Sequence, residues 1–150
     1  MKTINVVYKE PNKPAEQRTV EIEKNLLNTM QKLVGGGHNV DVQHVPIGPG
    51  VTILVDEDGL AKNLPDNCGF VGNIVFVQDV FISEDEGYDW GSLDEETARK
   101  ALRWCFRHTD DVHPDRSGTV RILTNEEEIK QYRASVAAMN RAKVVEWRSL

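Results

Sequence analysis

Asn73-Ile74-Val75-Phe76-Val77-Gln78-Asp79-Val80-Phe81-Ile82 is the most apolar stretch of the chain. Ile74, Phe76, Val80 and Ile82 alternate with Val75, Val77 and Phe81, so a strand here presents apolar side chains on both faces. Such a strand is central in its sheet or covered on both sides. The rest of the chain is read by asking what flanks it and what covers it.

Upstream, Ile4, Val6 and Tyr8 alternate with Asn5 and Val7, and Val20 and Ile22 alternate with Thr19, Glu21 and Glu23. Glu10-Pro11-Asn12-Lys13-Pro14 has turn composition, so the two runs form a hairpin. Leu26, Leu27, Met30, Leu33 and Val34 follow at helical spacing, and Gly35-Gly36-Gly37 closes that helix, because glycine takes the left-handed cap conformation cheaply. Val40, Val42 and His44 lie on one face of the next strand, opposite Asn39, Asp41 and Gln43. Pro46-Ile47-Gly48-Pro49-Gly50 is a turn, Val51 to Val55 a strand, and Leu64-Pro65-Asp66-Asn67 a loop. In Asp56-Glu57-Asp58-Gly59 the Asp-Gly step marks a tight turn, with glycine supplying a positive φ.

Downstream, Ser83 to Gly91 is an acidic loop. Ser92 with Glu95 has capping-box spacing, so a helix starts there with Ala98, Ala101, Leu102 and Cys105 as its buried stripe. Thr109 to Gly118 is loop and Thr119 to Leu123 a short strand. Thr124 with Glu127 makes a second capping box, and Ile129, Tyr132, Val136 and Met139 give the last helix its apolar face. The order is ββαβββαβα. Consecutive strands joined by short turns favour antiparallel pairing. The fold class is therefore α+β, one domain over residues 1–150, with a mainly antiparallel sheet of about five to six strands and three helices.

Composition narrows the function classes. The 150 residues are 39% apolar and 28% charged, with a net charge of -6. That sign disfavours general binding to nucleic acid or anionic membranes, both of which reward Lys and Arg. No apolar run approaches the roughly 20 residues that span a bilayer, and the N-terminus has no signal-peptide pattern. Cys68 and Cys105 are the only cysteines, too few for a disulfide framework. A cytoplasmic location is the expectation.

Leu33-Val34-Gly35-Gly36, Val40-Asp41-Val42, Leu54-Val55-Asp56-Glu57-Asp58-Gly59, Asn63-Leu64-Pro65-Asp66-Asn67 and Val71-Gly72-Asn73-Ile74-Val75-Phe76-Val77 occur in this order within residues 28–80. The pattern resembles a family of small uncharacterised proteins carried by bacteriophages, plasmids and conjugative elements. Gly37 and His38 are extra to that pattern. The resemblance implies a mobile-element origin and an accessory role in the cytoplasm of the host cell. It implies no catalytic residue.

Candidate chemistry is sparse. Gly35-Gly36-Gly37 follows a helix and precedes His38, whereas a phosphate loop follows a strand and continues into Gly-Lys-Ser/Thr. His38 and His44 are roughly 20 Å apart at strand rise and do not share a metal. Asp56 to Gly59 lacks the further ligands of a calcium loop. Cys105, His108, Asp110, Asp111, His113 and Asp115 form the densest set of potential ligands; Cys105, His108 and His113 are the weak zinc candidates, at no standard zinc spacing. Glu126-Glu127-Glu128 complements a helix dipole, and Arg141, Lys143 and Arg148 form a small basic end beside Trp147.

Glu84, Asp85, Glu86, Tyr88, Asp89 and Trp90 stand out, because two large aromatics sit in a segment without Lys or Arg. They either fold back on the core or anchor a partner, since Tyr and Trp are enriched at binding hot spots. The leading expectation is a non-catalytic accessory protein, with no cofactor, that binds a host protein through these residues. The alternatives are a small-molecule or nucleotide binder and a metal-dependent hydrolase built on Cys105, His108 and His113.

Overall fold

Val51-Thr52-Ile53-Leu54-Val55-Asp56 is buried at every position, and Ile74, Val75, Phe76 and Val77 are fully buried. Two neighbouring strands with no wettable face dictate the architecture: a sheet with helices on both sides. The computed structural model describes residues 2–113 and 125–150; the side chains of Phe81, Tyr88, Tyr132, Val136 and Met139 lie outside the described residues, as do Asp115 and the strand expected over 119–123.

The elements are β1 (Thr3–Lys9), β2 (Glu16–Glu21), α1 (Leu26–Val34), β3 (Val42–Gly48), β4 (Val51–Asp56), β5 (Asp66–Asn67), β6 (Phe70–Val71), β7 (Ile74–Ser83), β8 (Gly87–Gly91), α2 (Glu95–Arg107) and α3 (Glu126–Ser149). The main sheet has six strands in the order β2-β1-β7-β4-β3, with β8 paired to β7, and every pairing is antiparallel. β5 and β6 form a separate two-stranded hairpin. The α+β expectation holds, and the strand it started from lies in the middle.

Strand alternation sorts the core into two clusters. On one face Ile4, Val6, Tyr8, Leu54, Val75 and Val77 meet Met30 and Val34 of α1. On the other, Val7, Ile47, Val51, Ile53, Val55, Ile74 and Phe76 meet Ala98, Ala101, Trp104 and Cys105 of α2 and Trp147 of α3. α1 starts on an Asn25 cap and ends as expected at the glycines. Gly36 has φ 64°, and Gly37 N–H donates to Lys32 O at 2.9 Å while Gly36 N–H donates to Leu33 O at 3.3 Å, the paired bonds of a Schellman ending.

Several local readings change. β8 replaces an expected loop, because pairing to β7 overrides its polar sequence. β7 outruns its cover, so Val80 (44% exposed) and Ile82 (47%) face solvent rather than core. α2 is capped by Asp94, whose carboxylate accepts from Thr97 N–H at 2.7 Å; Ser92 instead receives the Asn5 N–H at 2.9 Å, tying the end of β8 to β1. α3 is capped by Asn125 through Glu128 N–H and runs through the tail to Ser149. β3 begins at Val42 and runs through Pro46 and Ile47, so His38 is not on it and the turn reduces to Pro49-Gly50. Gly59 has no positive φ; in this loop it is Asn63 that turns left-handed, at 54°. Leu64-Pro65 leads into β5 rather than remaining loop.

The seat of α3 is Gly48. A Cβ there would lie 2.2 Å from Trp147 Cδ1, so the indole rests on bare backbone. Gly48→Ala is expected to destabilise the protein by about 1–3 kcal/mol through overpacking. In a Trp147→Ala background the same substitution should cost much less. Chemical denaturation of the four proteins measures this coupling, and equal costs in both backgrounds would show that Trp147 does not seat there.

Candidate functional site

β1 carries its alternation to its last residue, and this puts Lys9, a charged residue, on the face covered by α2. Lys9 is only 4% exposed. Its ammonium donates to Asn67 Oδ1 at 2.6 Å and to Glu10 O at 3.3 Å. Asn67 is itself buried and donates to Lys9 O at 2.9 Å and Gly72 O at 2.8 Å. The pair clamps the end of β1 to the β5–β6 hairpin. Among the described residues Lys9 has no carboxylate within ion-pair distance.

Lys9 lines a cavity of about 660 Å³ between α2 and the β1–β2 turn. Asn12, Lys13, Pro14 and Ala15 supply the turn side, Asp66 comes from β5, and Leu102, Cys105, Phe106, Thr109 and Asp110 come from α2 and its end. Phe106 is 85% exposed, which no core contact explains. The turn is braced by Glu10, which receives the Tyr8 hydroxyl at 3.0 Å and pairs with Lys13 at 2.7 Å. Those two bonds, Lys13 first, hold the Glu10 carboxyl below its usual range.

Behind the cavity wall the two cysteines meet. Asn67 pairs with Phe70, leaving Cys68-Gly69 as a two-residue turn with φ 54° and 83°, the positive pair that a type I′ hairpin requires. Cys68 and Cys105 are 2% and 1% exposed. Cys68 Sγ donates to Cys105 O at 3.5 Å, which sets the two thiols beside each other. Interaction with the Cys105 thiol, then the charges of Lys9 and His108, hold the Cys68 thiol below its ordinary pKa despite burial. The same interaction and burial both push Cys105 upward.

The expected ligand cluster takes another form. Cys105 faces Cys68, while His108 stacks on Trp104 with ring centroids 4.4 Å apart. Its Nδ1 meets Asp111 Oδ2 at 2.5 Å and its Nε2 meets Glu146 Oε1 at 2.6 Å. Half-buried His113 reaches Asp66 Oδ1 through its backbone N–H at 3.4 Å. Among the described residues no group of three or more His, Cys, Asp or Glu is placed to hold a metal ion. In the acidic segment Trp90 is half-buried and packs edge-on against His44, with centroids 5.0 Å apart. Glu84, Asp85, Glu86 and Asp89 are exposed along the β7–β8 hairpin. Trp90 thus folds back on the core.

The arrangement defines an α+β domain with a cleft built from both chain-distant strands and a helix. Residues 1–105 match the family described as Domain of unknown function (DUF3846), and the chain belongs to that family. The match takes in the whole sheet and α2 as far as Cys105; Phe106, Thr109, Asp110 and α3 lie beyond it. No curated protein and no solved structure matches the chain. Among the described residues no helix is long and apolar enough to cross a membrane.

Lys9, Asn67, Asp66 and Phe106 were not singled out by sequence reasoning, nor was Trp104. They are far apart in the chain, and no spacing rule joins them. Trp104 was legible: it is three residues after Ala101 and completes the α2 stripe.

His108 links the end of α2 to α3. Burial works against its charge, but the hydrogen bonds to Asp111 and Glu146, with their charges, outweigh it and hold the imidazole pKa above its ordinary value. A raised folded-state pKa stabilises fully below the unfolded imidazole value and is lost as pH rises through the folded one. Wild-type melting temperature should therefore contain a decline on raising pH above about 6.5, and His108→Gln should lack it. At pH about 6 the variant should be less stable by about 1 kcal/mol, discounted for partial exposure of the carboxylates. Parallel pH curves for both proteins would refute the linkage.

Proposed function

We propose that this domain binds a small organic anion with a flat apolar body, a nucleotide being the class, in the cleft over Lys9. The observation that carries the reading is a buried ammonium on a cavity wall whose partners among the described residues are neutral oxygens. A buried cation without a counter-charge is costly, and an anionic ligand supplies the missing charge. Phe106 gives a flat apolar body a surface to lie on. Asp110 and Thr109 line the same cavity and offer acceptors for amino and hydroxyl groups. The size suits such a ligand, since pockets for small molecules run from about 300 to 1,000 Å³. The reading is binding rather than turnover. In the mobile-element setting implied by the sequence resemblance, such a protein would act by sequestering a host nucleotide signal.

A thermal-shift and calorimetric screen of nucleotides tests it. At least one should raise the melting temperature of the wild type. Lys9→Met, which keeps the buried stem, should lose about tenfold or more in affinity if one charge-assisted hydrogen bond is removed. Phe106→Ala should weaken binding without changing stability. Absence of any shift, or a shift indifferent to both substitutions, would remove the proposal.

A second reading is favoured by a separate observation: Val80 and Ile82 are exposed side by side on β7, beside the carboxylates of the β7–β8 hairpin. An apolar centre with a charged rim is the anatomy of a protein contact, and here the rim selects a basic partner. Capture from host lysate should recover a partner with the wild type and lose it with the Val80→Ser, Ile82→Ser double variant. Equal recovery by both forms would sink this surface.

A further inference from the structure

The two cysteines are separated by 37 positions, yet the fold sets the Cys68 thiol 3.5 Å from the Cys105 carbonyl oxygen, with both side chains buried. The contact is held from several sides. Gly69 N–H donates to Asp111 O at 3.0 Å, fastening the Cys68-Gly69 turn to the end of α2. Asp66 receives the His113 N–H at 3.4 Å, a second tie between the same two segments. Lys9 holds Asn67, the residue before Cys68. Cys105 O receives both the Cys68 thiol at 3.5 Å and the Thr109 hydroxyl at 2.8 Å. Cys68 also occupies the first central position of a type I′ turn, where asparagine, aspartate or glycine is the usual choice.

We propose that Cys68 and Cys105 are a redox-active dithiol, closed to an intramolecular disulfide by hydrogen peroxide that enters through the cleft walled by Cys105. Burial excludes bulky oxidants; a small one reaches Cys105 on the cavity wall and, directly behind it, the Cys68 sulfur. The Cys68 sulfur attacks one peroxide oxygen and the O–O bond breaks. A sulfenic acid forms on Cys68, and the second oxygen leaves as water with the thiol proton. The Cys105 sulfur then attacks the sulfenic sulfur. The S–O bond breaks, the S–S bond forms, and hydroxide leaves with the Cys105 proton as a second water. Two thiols are oxidised and one peroxide is reduced. Cys68 attacks first because its thiol is the one held below its ordinary pKa, which favours the thiolate, the nucleophilic form. The crosslink joins two walls of the cleft, since Asp66 lies two residues before Cys68. The inference does not depend on the ligand reading, because the bond is scored in unliganded protein.

The test treats the full chain with graded hydrogen peroxide, alkylates remaining thiols under denaturing conditions, and maps peptides without reductant. The expected product is the Cys68 peptide joined to the Cys105 peptide within one chain, about 2 Da lighter than the two free peptides together and reversed by dithiothreitol. The same dose given to the unfolded chain should yield mainly uncrosslinked oxidation. Cys105→Ala should stop at sulfenic or sulfinic acid on Cys68, with no internal link. Should that variant fail to fold, the wild-type map alone decides. Two alkylated thiols after treatment, a stable sulfinic acid beside a free thiol, or links only between chains would each overturn the proposal.

Discussion

The structure depends on one constraint: β4 and the first half of β7 have no face that tolerates water. Each needs apolar cover above and below, and the chain supplies it from different places. α1 comes from between the first and second strand pairs and caps one face with Met30 and Val34. α2 comes after the sheet is complete and covers the other with Ala98, Ala101 and Trp104, while α3 adds Trp147 from its last turns. Fully burying one such side chain contributes about 1.5–3 kcal/mol. The eight core positions of β4 and β7 from Val51 to Val55 and Ile74 to Val77, Thr52 apart, therefore outweigh any local preference of the segments around them.

This constraint also places the surface features. Cover ends before the sheet does. At the far end of β7 Val80 and Ile82 are exposed, and the β7–β8 hairpin carries the exposed Glu84, Asp85, Glu86 and Asp89. At the other end α2 stops at Arg107, and the β1–β2 turn rises beside it with a cleft between. Lys9 is buried because β1 must continue to the clamp on Asn67, and its head is turned into the cleft wall rather than to bulk water.

How much of this was legible in the sequence follows from the same physics. The doubly apolar β7 and the glycine-capped α1 were readable because their signals are local: periodicity in one case, a run of small residues after a stripe in the other. β8 was not, since its period-two signal rests on Tyr88 and Trp90 alone, between glycines and Asp89, and the strand is held by pairing to β7. The caps of α2 and α3 were misplaced by two residues and one residue, because Ser92, Asp94, Thr124 and Asn125 are all competent caps and tertiary contacts choose among them. The cleft was illegible. Its walls are drawn from residues 9–15, 66 and 102–110, and only the sheet order, with β1 next to β7 and not β4, brings them together.

Cys105, His108 and His113 lie on one strip of chain but make different contacts. The helix turns Cys105 inward to Cys68 and sends His108 sideways between Asp111 and Glu146, while His113 N–H docks on Asp66. A histidine with both ring nitrogens on carboxylates is committed to ion pairing, and a cysteine whose thiol bonds a second cysteine is committed to that partner. Each residue is thus used, but in a different contact, and all three contacts serve the same seam, where α2 and its end are fastened to β5–β6 and to α3. The chemistry of that strip is therefore to be sought in the pair of sulfurs and in the cation beside them, which the fold assembles, rather than in the spacing along the chain.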